Sequence, residues 1–289
     1  MAQIIVRNVP QFYLLTPAIA SAAERDFVVV FLHGWLLSSA YWQPLIDQLQ
    51  CHVRCLSYDL RGFGQSLTST CPHTLVSYIE DLAEILDRLQ IAKVWLVGHS
   101  LGGTLALWGA HLMAERVLGV VCINSGGGIY IDQDFRRLRL AGRIIAYARP
   151  QWLAYLPWLA GQFAKDSVHQ PLAWHWGRQR VKDFVSADLR AVLGILLDST
   201  TEREVHLLPQ LVAGLKQPAY FVAGDCDRIM QAKFVKHLAS FHPLFQQGEP
   251  NYWEIANCGH IAMLEHADLI KDLLLRLTVY NQISSTSST

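Results

Sequence analysis

Short apolar runs bounded by turn residues alternate along this chain with stretches whose apolar positions recur every three or four residues. The runs lie at 27–32, 53–58, 93–98, 118–124, 218–224 and 251–255. They are apolar on both faces, as strands are when covered on each side, and their alternation with helices predicts an α/β fold class with a mostly parallel sheet. A further pair near 4–9 and 12–15, with Pro10 between them, predicts an antiparallel edge hairpin and brings the sheet to eight strands. Helical spacing is clearest at Leu75, Ile79, Leu82, Leu86 and Leu89, which share one helix face behind Thr74 as an N-cap.

The alternation stops between 129 and 217. That interval is too long for a plain connection and reads as an inserted helical cap, punctuated by Pro150, Pro157, Pro171 and Pro209 and carrying Trp152, Trp158, Trp174 and Trp176 at its centre. The expected division is an α/β core of residues 1–128 and 218–280, a cap of 129–217, and a polar tail of 281–289 without periodicity, read as disordered. The four tryptophans either line a substrate pocket or fix the cap to the core. Arg136, Arg139 and Arg143 fall on one helix face, read as solvated.

Composition narrows the partners. Lys plus Arg and Asp plus Glu each number 24, so no net charge favours nucleic acid. An apolar share of 52% with 9 Trp suits a small to medium apolar substrate. The first residues lack the pattern of a signal peptide, which points to a cytoplasmic protein. The longest aromatic-rich apolar run, 152–164, is too short for the roughly 20 residues of a membrane-spanning helix. Peripheral membrane contact stays open. The six Cys show neither CxxC nor Cys/His ligand spacing and read as free thiols, so neither metal nor organic cofactor is expected.

The chemistry concentrates at Gly98-His99-Ser100-Leu101-Gly102-Gly103, between the run at 93–98 and a helical pattern at 104–114. This is G-x-S-x-G in a strand–turn–helix context, where glycines permit a tight turn that raises a serine hydroxyl beside a helix N-terminus. Ser100 is therefore the candidate nucleophile. A base must reach it from elsewhere in the chain, and His260, in the loop after the run at 251–255, occupies a strand end from which an imidazole can lean over the sheet. His33, His99 and His266 read as structural.

Together with His33-Gly34-Trp35 after one strand, and Asp59-Leu60-Arg61-Gly62-Phe63-Gly64-Gln65-Ser66 after the next, these residues resemble the α/β-hydrolase superfamily. The resemblance covers all but the cap and tail and is nearest the branch of cofactor-free haloperoxidases (perhydrolases), aryl esterases and carbon–carbon bond hydrolases. It implies a Ser-acid-His order, with the acid three residues after the glycine that ends a strand, which selects Asp227 over Asp225. It implies backbone N–H donors for the oxyanion at Trp35 and Leu101, with the Trp35 side chain a candidate for the pocket. Where related perhydrolases carry proline, this chain has Leu36. The 59–66 segment reads as scaffold.

These residues predict a serine hydrolase that cleaves a carboxylic ester through an acyl-enzyme. Two alternatives stand beside it: a carbon–carbon hydrolase, perhydrolase or acyltransferase with the same triad, and a ligand-binding receptor of the same fold.

Overall fold

A computed structural model describes residues 2–18, 26–126 and 132–280. The tail 281–289, the proposed boundary at 128/129 and the Arg136 side chain lie outside the described residues. Eight strands form one sheet: β1 (Ala2–Val6), β2 (Val9–Leu15), β3 (Val28–Leu32), β4 (Cys55–Tyr58), β5 (Val94–His99), β6 (Val117–Ile123), β7 (Ala219–Gly224) and β8 (Tyr252–Ile255). Their order is β1-β2-β4-β3-β5-β6-β7-β8. The pairings β1–β2 and β2–β4 are antiparallel, and every pairing from β4 to β8 is parallel.

The six runs read from sequence all form strands, shifted by a residue or two. The hairpin differs: it turns at Arg7–Asn8, both at positive φ (48° and 63°), rather than at Pro10, which sits within β2 opposite Ile5. A two-residue loop whose twist matches the flanking strands requires positive φ at both positions, which proline cannot adopt but Asn tolerates.

Alternate residues of β3 serve two cores. Val28, Val30 and Leu32 pack with α2 (Leu75–Arg88) and α3 (Leu101–Leu112), whereas Val29 and Phe31 pack with α1 (Gln43–Leu49) and the helix Ala267–Leu274. Thr74 caps α2, its hydroxyl accepting the Ser77 N–H at 3.2 Å.

Between β6 and β7 lie only helical elements among the described residues: α4 (Asp132–Tyr147), a 3₁₀ turn (Gln151–Tyr155), α5 (Pro157–Phe163), α6 (Trp174–Ser186), α7 (Leu189–Ser199) and α8 (Glu202–Gly214); α9 (Ala232–Ala239) follows β7. Arg139 does not simply face water. Its guanidinium donates to the carbonyls of Leu197 and Thr200, where a cation offsets the negative end of α7. Ser38 Oγ donates to Asp183 Oδ2 at 2.8 Å, tying the loop after β3 to α6.

Parallel strands bring their C-terminal ends to one edge. After β3 the chain crosses to β4 on one side, and β5 lies on the other, so the loop after β3 and the turn after β5 border one crevice. Leu32 pairs with Gly98, which sets His33-Gly34-Trp35 beside Ser100.

Candidate active site

Ser100 sits between β5 and α3 with φ 52° and ψ −119°, a conformation L-residues rarely adopt. The neighbouring glycines explain how the turn closes. A Cβ on Gly98 would strike the Gly102 backbone, and one on Gly102 would strike the Leu32 carbonyl. The Ser100 carbonyl accepts the Ser125 hydroxyl at 2.5 Å, and its N–H donates to the Ile123 carbonyl at 3.0 Å. Both bonds fix the turn against the end of β6. Leu101 opens α3, so its N–H has no acceptor within the helix and projects from the positive end of the dipole.

Asp227 and His260 come together from the ends of β7 and β8. His260 Nδ1 lies 2.7 Å from Asp227 Oδ2 and donates to it. Asn124 Nδ2 donates to the same oxygen at 2.8 Å, and the Ile229 and Met230 N–H groups donate to Oδ1 at 2.8 and 2.9 Å. Burial opposes ionisation of Asp227, yet the bonds from His260, Met230 and Asn124 outweigh it and hold the carboxyl below its ordinary pKa. Asp225 is exposed and instead accepts the Cys258 N–H at 3.1 Å. With Nδ1 engaged by a carboxylate, Nε2 is the nitrogen of His260 left to accept a proton.

The other histidines have structural partners. His33 Nε2 accepts the Leu60 N–H at 2.9 Å, which leaves Nδ1–H to donate to Gly34 O at 2.8 Å. His99 donates from Nε2 to the His260 carbonyl at 2.7 Å, and burial followed by the nearby imidazole of His260 pushes its pKa down to about 3. His266 reaches the Asn257 carbonyl at 3.2 Å. Arg61, fully buried, pairs with Asp81 at 2.7 Å and donates to the Cys71 and Pro72 carbonyls, a scaffold contact.

Two cavities meet at Ser100. The first, about 390 Å³, is lined mostly by apolar side chains, with Leu101, Trp108, Ile145, Leu196 and Leu208 among them. The second, about 400 Å³, includes His99, His260, Phe163, Asp166 and Arg180. Trp35 lines both, and its Nε1–H donates to the Val192 carbonyl of α7 at 3.1 Å. Leu36 follows at φ 58°, which proline cannot reach.

Trp152, Trp158, Trp174 and Trp176, expected as candidates for the pocket, line neither of these two cavities. Trp176 stacks on Tyr41 of the core at 5.7 Å, and the other three are exposed. Their elements contribute Phe163 and Arg180 to the second cavity instead, while α4, α7 and α8 enclose the first. Helical spacing alone carries no information about which face of a cap helix turns inward. Asn124, with φ 48° at the end of β6, also escaped the sequence reading. Its only signal was an Asn at a strand end, and its role depends on Asp227, 103 residues away. Among the described residues, no three His, Cys, Asp or Glu side chains gather as metal ligands.

Residues 28–267 match the family model of the alpha/beta hydrolase fold. The chain is 35% identical over 252 residues to 3-oxoadipate enol-lactonase 1 of Acinetobacter baylyi, covering 85% of this chain and 86% of that protein. It is 25% identical over 246 residues to the pimeloyl-[acyl-carrier protein] methyl ester esterase of Xylella fastidiosa, covering 83% and 90%. Among solved structures, an esterase from Exiguobacterium antarcticum superposes with a TM-score of 0.75 at 15% identity, covering 95% of this chain and 97% of that one.

Proposed function

We propose, from the premise that this chain belongs to the alpha/beta hydrolase fold family, that it is a serine hydrolase cleaving carboxylic esters with an apolar acyl group. The observation that carries this reading is the His260–Asp227 pair beside a serine in a strained strand–helix turn, at the mouth of an apolar cavity. In this reading Ser100 attacks the ester carbonyl while His260 takes its proton, and Asp227 stabilises the imidazolium through Nδ1. The Trp35 and Leu101 N–H groups hold the oxyanion, each worth about 3–4 kcal/mol of transition-state stabilisation. Collapse of the tetrahedral intermediate expels the alcohol, which receives the proton from His260, and water then repeats the sequence on the acyl-enzyme.

The two cavities divide the substrate. The proton donor must lie on the side of the leaving alcohol, and His260 lines only the second cavity, so the alcohol belongs there. The acyl chain belongs in the first, which Leu101 lines and His260 does not. The two curated relatives, named for an enol-lactone and a methyl ester, support an ester bond as the target.

A series of p-nitrophenyl esters of rising acyl length tests the proposal. Specificity should rise by up to about 0.8 kcal/mol per methylene until the first cavity is full, then break. Absence of sustained turnover on every ester, with a carbon–carbon substrate or a peroxide-dependent reaction turned over instead, would overturn it in favour of another reaction of the same triad. Stoichiometric labelling without turnover on anything would favour a receptor.

A further inference from the structure

Sixteen large apolar side chains are exposed among the described residues, and eight lie between 140 and 174, about an eighth of the chain. Ile145 lines both cavities at Ser100, and the other seven lie outside them on α4, the 3₁₀ turn, α5 and α6. Leu140, Ile144 and Tyr147 follow helical spacing on the outer side of α4, whose inner side buries Gly142 and Ala146. Trp152 and Tyr155 continue it on the 3₁₀ turn and Trp158 on α5; Tyr155 is 84% exposed and Trp158 63%. The turn and α5 pack against α6. Arg149 joins the end of α4 to the end of α6 through the Phe184 and Ala187 carbonyls, so these elements hold together as a face. Patches of this extent are uncommon on soluble proteins unless something covers them.

Charge identifies the cover. Residues 132–186 hold nine Lys and Arg against four Asp and Glu, while the rest of the chain holds fifteen against twenty. A chain with no net charge thus concentrates positive charge in the stretch that carries these apolar side chains, with Arg139, Arg149 and Arg180 engaged by backbone carbonyls. Arg143, Lys165, Arg178 and Lys182 are exposed there, and Arg178 lies over the exposed Trp174 ring at 5.1 Å. Of the acids with described side chains, Asp183 is buried, and Asp166 pairs with Arg180. A two-fold contact with a second copy would set this positive face against itself. Exposed Trp and Tyr with a basic surround suit the headgroup layer of an anionic bilayer, where the rings sit at the interface and the cations meet phosphate.

We propose that the face formed by α4, the 151–155 turn and α5 docks the protein on anionic phospholipid membranes. The docking does not depend on the hydrolytic reading, so it is tested in the Ser100→Ala protein. Flotation with vesicles of phosphatidylcholine, pure or containing about a third phosphatidylglycerol, reads it directly. Binding should appear on the anionic vesicles and be much weaker on pure phosphatidylcholine. Adding Trp152→Ser, Tyr155→Ser and Trp158→Ser should lower the partition coefficient by about tenfold or more. Arg143→Gln and Arg178→Gln should lower it by about fivefold each and flatten its salt dependence. Thermal melting verifies that each variant folds. No binding to anionic vesicles, or equal binding by the parent and the triple aromatic variant, would overturn the proposal. So would sedimentation showing a dimer in the parent that dissociates in the triple variant, which would assign the face to a second copy.

Discussion

Each oxygen of Asp227 accepts two hydrogen bonds, so the carboxylate is fixed as well as charged. Asp227→Asn replaces an acceptor with a donor facing His260 and should reverse the tautomer, lowering kcat by about 10⁴, whereas Asp225→Asn should leave it nearly unchanged. Steady-state kinetics on a p-nitrophenyl ester measures the contrast, and a fluorophosphonate adduct that disappears in Ser100→Ala identifies the nucleophile. Asn124→Leu removes one donor from Asp227 and one from the Gly259 carbonyl, leaving buried acceptors short of partners at about 1–3 kcal/mol. The variant should lose turnover with KM little changed. The strand-end placement of Ser100 and His260 was legible because each stands in a short motif after an apolar run. Asn124 was not, because a donor is defined by its acceptor, and that acceptor follows the neighbouring strand, 103 residues along the chain.

At the scale of elements, strands were legible because runs buried on both faces leave an unbroken apolar pattern. The hairpin turn was misplaced because Pro10 is the more conspicuous residue, while the backbone requirement falls on Arg7 and Asn8. Cap helices were legible as helices but not in orientation, so the tryptophans drew attention away from Ile145 of α4 and Leu208 of α8, which line the first cavity. Leu208→Trp should therefore shorten the longest acyl chain accepted and leave acetate esters unaffected, measured as kcat/KM across the ester series. Single substitutions of Trp152, Trp158 or Trp174 should leave that profile unmoved. In the loop after β3, Leu36→Pro imposes a negative φ on a residue held at 58°. It should cost about 1–3 kcal/mol, read as a lower urea midpoint.

Across the whole molecule, the two faces of the sheet and the edge where its strands end followed from the apolar pattern, while which charges stand exposed emerged only once the helices were in place. Buried ionisable groups then set the response to acid. His99 has its pKa lowered to about 3 by burial and by His260, against an unfolded value near 6.5. Above pH 6.5 both states are neutral there and stability does not depend on this residue. Below it the unfolded chain takes up a proton that the folded chain refuses, so stability falls by up to about 1.4 kcal/mol per pH unit until about pH 3. His33 and His242, also lowered by burial, act in the same direction. Asp183, raised by burial to about 6, acts in the opposite one: the folded state binds its proton first, so stability rises as pH falls from about 6 toward the unfolded value. Melting temperature should decline from pH 6.5 toward 4, and His99→Gln should flatten that decline.

Trp35 belongs at once to the loop after β3 and, through its indole N–H, to the Val192 carbonyl of α7. A rigid ring between the two makes them an interlock: α7 cannot swing outward without either breaking that bond or dragging the backbone that borders Ser100. Were substrate to enter by an outward swing of α7, admission and the proposed chemistry would exclude one another, as a door switch stops a machine while its cover is raised. Trp35→Phe keeps the ring and cuts the link. In that variant the rate of substrate entry and the rate of the chemical step should vary independently, seen in pre-steady-state release of p-nitrophenol as a burst whose rate no longer follows solvent viscosity.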